Sequence, residues 1–159
     1  MRYIFLAPML VAAACADHAH QATPAHLHGA HDMSATDTRQ AVRFPPELRR
    51  QTLAHMREHL AILGEIQQAM GRGAYDAAAE LAEHQLGLSS LAMHGAQEVG
   101  PLMPPGMQQA GVAMHRAASR FAVEATNAGA TNDPRPAIAA LGVLTAQCVA
   151  CHASYRLVD

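Results

Sequence analysis

Lysine is absent from this chain of 159 residues, so all eleven basic residues are arginine, and tryptophan is absent as well. Phenylalanine and tyrosine supply three residues each, an aromatic content of 4%, while half the residues are apolar and alanine is abundant. Sheets are built from aromatic and β-branched side chains and alanine is the best helix former, so the composition points to an all-α fold of closely packed helices. Charge is scarce: charged residues make up 15% of the chain and the net charge is −2 with histidines neutral. The arginines are scattered, with no run longer than Arg49-Arg50, which excludes the basic footprint of a nucleic-acid partner. Eleven histidines make the charge climb below about pH 6.5. No pairing of nucleophile and base stands out, so an enzyme is not expected.

Cysteine is scarce too, with Cys15, Cys148 and Cys151 the only three. The last two fall in Cys148-Val149-Ala150-Cys151-His152, followed by Ala153-Ser154-Tyr155-Arg156. Two thiols three apart with a histidine directly after the second is the arrangement that attaches one haem c: the thiols add to the porphyrin's vinyl groups and the imidazole reaches the iron. On a helix Cys148, Cys151 and His152 sit at i, i+3 and i+4 and share one face. A thioredoxin-like pair would want a βαβ setting, and half a zinc site would want a second ligand pair; neither accompanies this motif.

Residues 1–14 read as a secretory signal peptide, with Arg2 ahead of an apolar run of about a dozen residues, too short to span a bilayer. The run ends in Val11-Ala12-Ala13-Ala14-Cys15, which resembles a bacterial lipobox with Cys15 as the acylated residue and membrane anchor. Ordinary cleavage that discards or exposes Cys15 is the alternative. Residues 15–44 lack apolar periodicity and read as a flexible, disordered tether. It carries His18, His20, His26, His28 and His31, either a plain polar spacer or weak, adaptable ligands for copper, nickel or zinc.

Residues 45–159 make one domain of four predicted helices. Pro45-Pro46-Glu47 opens the first, which runs to about residue 70 with Leu53, Met56, His59, Leu60, Ile62, Leu63, Ile66 and Met70 on one half of the wheel. The second starts at Tyr75-Asp76, with Asp76 as cap, and runs to about His94, turning Ala78, Leu81, Leu88 and Leu91 inward. The third covers about residues 105–128 on a stripe of Met107, Ala110, Gly111, Met114, Ala118, Phe121 and Ala125, closed by Asn127-Ala128-Gly129. Asp133-Pro134 opens the fourth, which carries Ile138, Leu141, Leu144 and Thr145 into the attachment motif. Four such helices on short to moderate loops favour an antiparallel four-helix bundle, in which a covalent haem replaces part of the side-chain core and without which the alanine-rich helices would be loose.

With Cys148-x-Ala150-Cys151-His152-x-x-Tyr155-Arg156 at the end of a fourth helix, Arg50-Gln51 early in the first and Gly73-Ala74-Tyr75-Asp76 opening the second, residues 47–158 resemble the class II c-type cytochromes, the cytochrome c′ family. The connection over residues 95–106, with its methionines and prolines, departs from the family pattern. The resemblance implies a four-helix bundle, haem bound through Cys148 and Cys151, and His152 as proximal ligand. It places Arg156 near a propionate and Tyr155 in the haem surroundings, and implies a homodimer through the first two helices. It also places a first-helix residue on the far side of the iron: an apolar one leaves the iron open to nitric oxide or carbon monoxide, a methionine closes it for electron transfer.

At 1.5 Å per residue the level facing the iron falls around residues 52–57 of an antiparallel first helix. Met56 is at that level on the apolar arc, His55 is at the arc's edge, and His59 is central but a turn deeper; all three stay open as distal residues. Met93, His94, Met103, Met107, Met114 and His115 form a second group, readable as soft donors for Cu(I) or as core filling. The function expected is a periplasmic single-electron carrier working with redox partner proteins. The alternatives are a five-coordinate haem protein that binds nitric oxide or carbon monoxide, and a periplasmic metal-handling lipoprotein that uses the histidine tether.

Overall fold

Pro46 stands in the first turn of a helix that spans Pro46–Gly71 (α1), where proline's missing N–H breaks no helical bond, and Glu47 beside it faces the positive end of the helix dipole. Glu47 also accepts a hydrogen bond from Gln51 Nε2 at 3.0 Å and pairs with Arg50. At the other end Gly73, at φ 72°, supplies the left-handed residue of a Schellman turn: Gly73 N–H donates to Met70 O (3.0 Å) and Ala74 N–H to Ala69 O (2.9 Å). The chain thereby reverses within three residues, and the next helix begins at once.

The computed structural model describes residues 36–159. The leader over residues 1–14, Cys15 and the tether histidines His18, His20, His26, His28 and His31 lie outside them. In order, the described elements are strand β1 (Gln40–Arg43), α1, α2 (Tyr75–Leu81), α3 (Ala96–Val99), α4 (Pro105–Thr131), α5 (Arg135–Ser154) and strand β2 (Tyr155–Val158). The described residues are mostly helical, an all-α fold with one small pair of strands. Packing follows sequence: α1 lies on α2, α2 on α4, and α4 on α5.

The second predicted helix is much shorter than the periodicity suggests. α2 passes into a π-type turn over Ala82–Leu86 and the helix stops at Gly87, whose backbone is extended. Two serines compete for the backbone there. Ser89 Oγ donates to Glu83 O (2.8 Å) and reaches Glu83 Oε1 (2.7 Å), while Ser90, fully buried, donates to Gly87 O (2.8 Å). From α4, Ser119 Oγ accepts the Leu88 N–H (3.0 Å), and His115 Nδ1 donates to Leu86 O (2.8 Å) and Gly87 O (3.2 Å). Leu88, expected inward, is therefore 43% exposed, and His94 sits in irregular turns rather than at a helix end. Asp76 lies in the first turn of α2 without capping it.

α4 runs past the expected stop at residues 127–129, through Gly129, to Asn132, which takes the left-handed conformation at φ 56° and donates to Ala128 O (2.8 Å). Asp133 then accepts the Arg135 N–H (3.1 Å) and pairs with its guanidinium, fixing the turn into α5. Ile138 points outward, 57% exposed, because only one side of α5 meets α4.

The end of the tether reading is also corrected. Residues 40–43 form β1, which pairs in parallel with β2 from Gln40↔Tyr155 to Arg43↔Val158. Val42, Phe44 and Val99 make a small core there, with Leu48, Met103, Met107, Tyr155 and Leu157 around it. The main core is elsewhere and is dominated by alanine: Ala69, Ala78, Ala82, Ala118, Ala125 and Ala137 close around Phe121, Ile66 and Leu144. Small side chains let the helices approach closely at this end. Beyond Leu86 and Leu144, toward the end of α5, the same helices enclose cavities instead.

Candidate functional site

The last two turns of α5 carry Cys148, Cys151 and His152 on one face, as the i, i+3, i+4 spacing requires. All three line a cavity of about 580 Å³ whose opposite wall is α1, through Met56, His59, Leu60 and Leu63, and whose floor is α4, through Ala110, Gly111 and Met114. That is a typical ligand-site volume, and the lining is almost wholly carbon and sulfur. Leu60, expected in the core, is 70% exposed because it faces this open space rather than packed side chains. Burial pushes both thiols above the ordinary cysteine range, and the neighbouring Cys148 adds to the effect at Cys151. The two are not joined in a disulfide, as attachment through both sulfurs requires.

A second cavity of about 360 Å³ adjoins the first through Met56, Gly111, Cys151 and His152, and it is lined by Arg39, Tyr155 and Arg156. Asp37 holds the two guanidinium groups together, taking Arg39 Nη2 at 2.7 Å and lying 3.3 Å from Arg156 Nε. The hydrogen bonds from Arg39, and behind them the charge of Arg156, draw the Asp37 carboxyl down to about 2. Arg156 Nε is nonetheless buried without a well-formed hydrogen bond. Arg39 Nη1 also donates to His152 O (3.4 Å). Arg39 went unnoticed in the sequence because the tether reading covered it; the signal was the alternation Ala41-Val42-Arg43-Phe44.

A third cavity, of about 250 Å³, shares Met56, His59, Gly111 and Met114 with the first and is lined by His55, His94, Met103 and His115. The three first-helix candidates thus divide: Met56 and His59 line the cavity of the attachment motif, and His55 faces its neighbour. Four imidazoles gather there, with ring centroids 4.5 Å apart for His59–His94, 5.4 Å for His55–His94, 5.7 Å for His94–His115 and 6.2 Å for His59–His115. Burial, then His94, His115 and His55, pushes His59 down to about 4; burial lowers His94 and His115 as well. Of the second group of donors, Met93 is 58% exposed and Met107 faces the second cavity, so neither lines the histidine cavity.

These residues meet the demands of a covalently attached haem on three counts. The thiols and His152 open into one cavity, the facing walls are apolar, and two arginines stand at the side where acidic propionates would need partners. Gly111 adds a fourth: a side chain there would meet nothing within 4 Å, so α4 leaves room at the point where all three cavities touch. The chain matches no protein-family model, no curated protein and no solved structure.

Proposed function

We propose that this is an exported c-type haem protein of the cytochrome c′ kind that carries single electrons between periplasmic partners. One haem c is attached through Cys148 and Cys151, with His152 on the iron. The four long segments α1, α2 with its π-turn, α4 and α5 are read as an antiparallel four-helix bundle around it. The observation that carries the reading is the opening of Cys148, Cys151 and His152 into one apolar cavity of about 580 Å³ faced by Met56. The haem supplies the one-electron iron couple. Cys148 and Cys151 would hold it covalently, Arg39 and Arg156 in the adjoining cavity could pair with its acidic groups, and Leu60, Leu63 and Met114 would supply apolar wall. Met56, with His59 beside it on the same wall of α1, would be the candidate for a second iron ligand, and methionine with histidine would raise the potential.

Expression of the full chain in a host competent for haem attachment tests the reading. A mass increment of one haem and a Soret band that are both lost in Cys148→Ala/Cys151→Ala are expected; a chain that matures without either overturns it. A second reading, capture of nitric oxide or carbon monoxide by five-coordinate iron, is favoured by the carbon-lined wall of Leu60 and Leu63 facing the motif. A reduced low-spin spectrum indifferent to carbon monoxide supports the carrier, and a high-spin one that shifts with carbon monoxide supports gas capture. The leader and the lipid at Cys15 belong to the same proposal: a labelled acyl chain lost in Cys15→Ala would mark the anchor.

A further inference from the structure

The histidine cavity is not explained by haem attachment, since His55, His94 and His115 do not line the space that Cys148 and Cys151 open into. Buried imidazoles are ordinarily accounted for by hydrogen bonds. His115 is: its Nδ1 proton goes to Leu86 O and Gly87 O, which leaves Nε2 as the ring's lone-pair nitrogen. His94 is not. Its Nδ1 is buried with no partner, and its Nε2 faces only His59 Nε2, 3.4 Å away, so two nitrogens share at most one hydrogen bond.

The spacing has another explanation. Two imidazole nitrogens bound at 2.0–2.1 Å to one tetrahedral ion stand about 3.4 Å apart, and the ring centroids then lie about 5 Å apart. The His59–His94 nitrogens are 3.4 Å apart, and the four centroid separations run from 4.5 to 6.2 Å. Among the described residues no three such groups converge as they stand, so a third ring must turn inward; His115 and His55 flank the pair, on α4 and α1. The donors are all neutral nitrogens, with the thioethers of Met56, Met103 and Met114 on the same walls and no carboxylate among the lining residues. Imidazole with thioether suits copper above other first-row metals, and copper also heads the general affinity order for nitrogen donors.

We infer that His59, His94 and His115, with His55 or a methionine thioether completing the set, bind one copper ion beside the candidate haem cavity. The inference does not rest on the haem reading. It joins His59, read from the sequence as a distal candidate, to His94 and His115 of the second donor group, 35 and 56 positions further along the chain.

The test uses the full chain with His18, His20, His26, His28 and His31 each changed to Asn, so that the tether contributes no imidazole. Cu(I) is added under ascorbate without oxygen, the protein is desalted, metal per chain is recorded, and the electron paramagnetic resonance spectrum is taken before and after oxidation in air. One retained equivalent, silent while reduced and showing nitrogen hyperfine structure once oxidised, is expected. His59→Gln and His94→Gln should each weaken retention by at least the roughly 10–100-fold that loss of an outer-shell partner costs. His115 is left intact because it also holds the backbone at Leu86 and Gly87, and circular dichroism checks that the two variants keep their helices; if one does not, the other decides.

No retained equivalent, or retention undiminished in the folded variants, overturns the site. Preference for zinc from an equimolar mixture overturns the assignment to copper. A bis-histidine iron spectrum that His59→Gln abolishes places His59 on iron and removes it from this set. A chain that carries haem but no copper sinks this inference alone, and one that holds copper but no haem sinks only the proposed function.

Discussion

At the scale of single residues, two glycines make opposite predictions. A Cβ on Gly87 would stand 2.5 Å from Glu83 Oε2 and 2.6 Å from Glu83 O, the second a backbone atom that cannot swing away. Gly87→Ala should cost about 1–3 kcal/mol by urea unfolding. Gly111→Ala meets nothing within 4 Å and replaces glycine inside α4, so it should stabilise the haem-free chain by about 0.5–1 kcal/mol. If a porphyrin fills the adjoining cavity, the same methyl should lower the fraction of chains that mature with haem. The histidines predict a pH response of the chain free of haem and metal. His59 titrates at about 4 in the fold, held down by burial and by His94, His115 and His55, with Glu58 opposing the effect only at His94. An unfolded histidine titrates near 6.5. Between those values the unfolded chain binds more protons, so stability is complete above about pH 6.5, falls as pH drops toward 4 and levels off below. Urea midpoints at pH 7, 5.5 and 4 should show the decline, and His59→Gln should flatten it.

Among the elements, the strand pair is the one whose removal is most informative. Phe44 is buried against Val42 and Val99, so Phe44→Ala should cost about 3 kcal/mol. The loss should be local: amide exchange in β1 and β2 accelerates while α4 stays protected. Which elements were legible beforehand follows from where their causes lie. α1, α4 and α5 carry their own punctuation in Pro46, Gly73, Pro105 and Asp133, next to the residues they start or stop. The early end of α2 has causes 28 to 31 residues away, in His115 and Ser119, and a periodicity count cannot see them. β1 alternates correctly, but its partner is 115 residues distant, and a lone strand of four reads as linker. Within the site, Cys148, Cys151 and His152 were legible because one helical turn sets their face. The histidine group was legible in part: His94, Met103, Met114 and His115 stand together in the sequence as donors, whereas His55 and His59 join them only once α1, the turns and α4 have folded.

Over the whole molecule, apolar surface is distributed unevenly. The alanine-rich end is closed, while α5, with a mean hydropathy of 1.5 over its best window, is only 17% buried there and is the one described helix long and apolar enough to cross a membrane. The parallel pairing of β1 with β2 bears on how the molecule is made. β2 begins at Tyr155, three residues after His152, and its partner precedes every described helix, so the clasp joins segments that all the intervening chain must first bring together. Contacts of such sequence separation form late. If haem is attached as proposed, the pairing that sets Tyr155 and Arg156 beside Cys151 and His152 would narrow the way to the sulfurs, so attachment would be easiest before the clasp shuts.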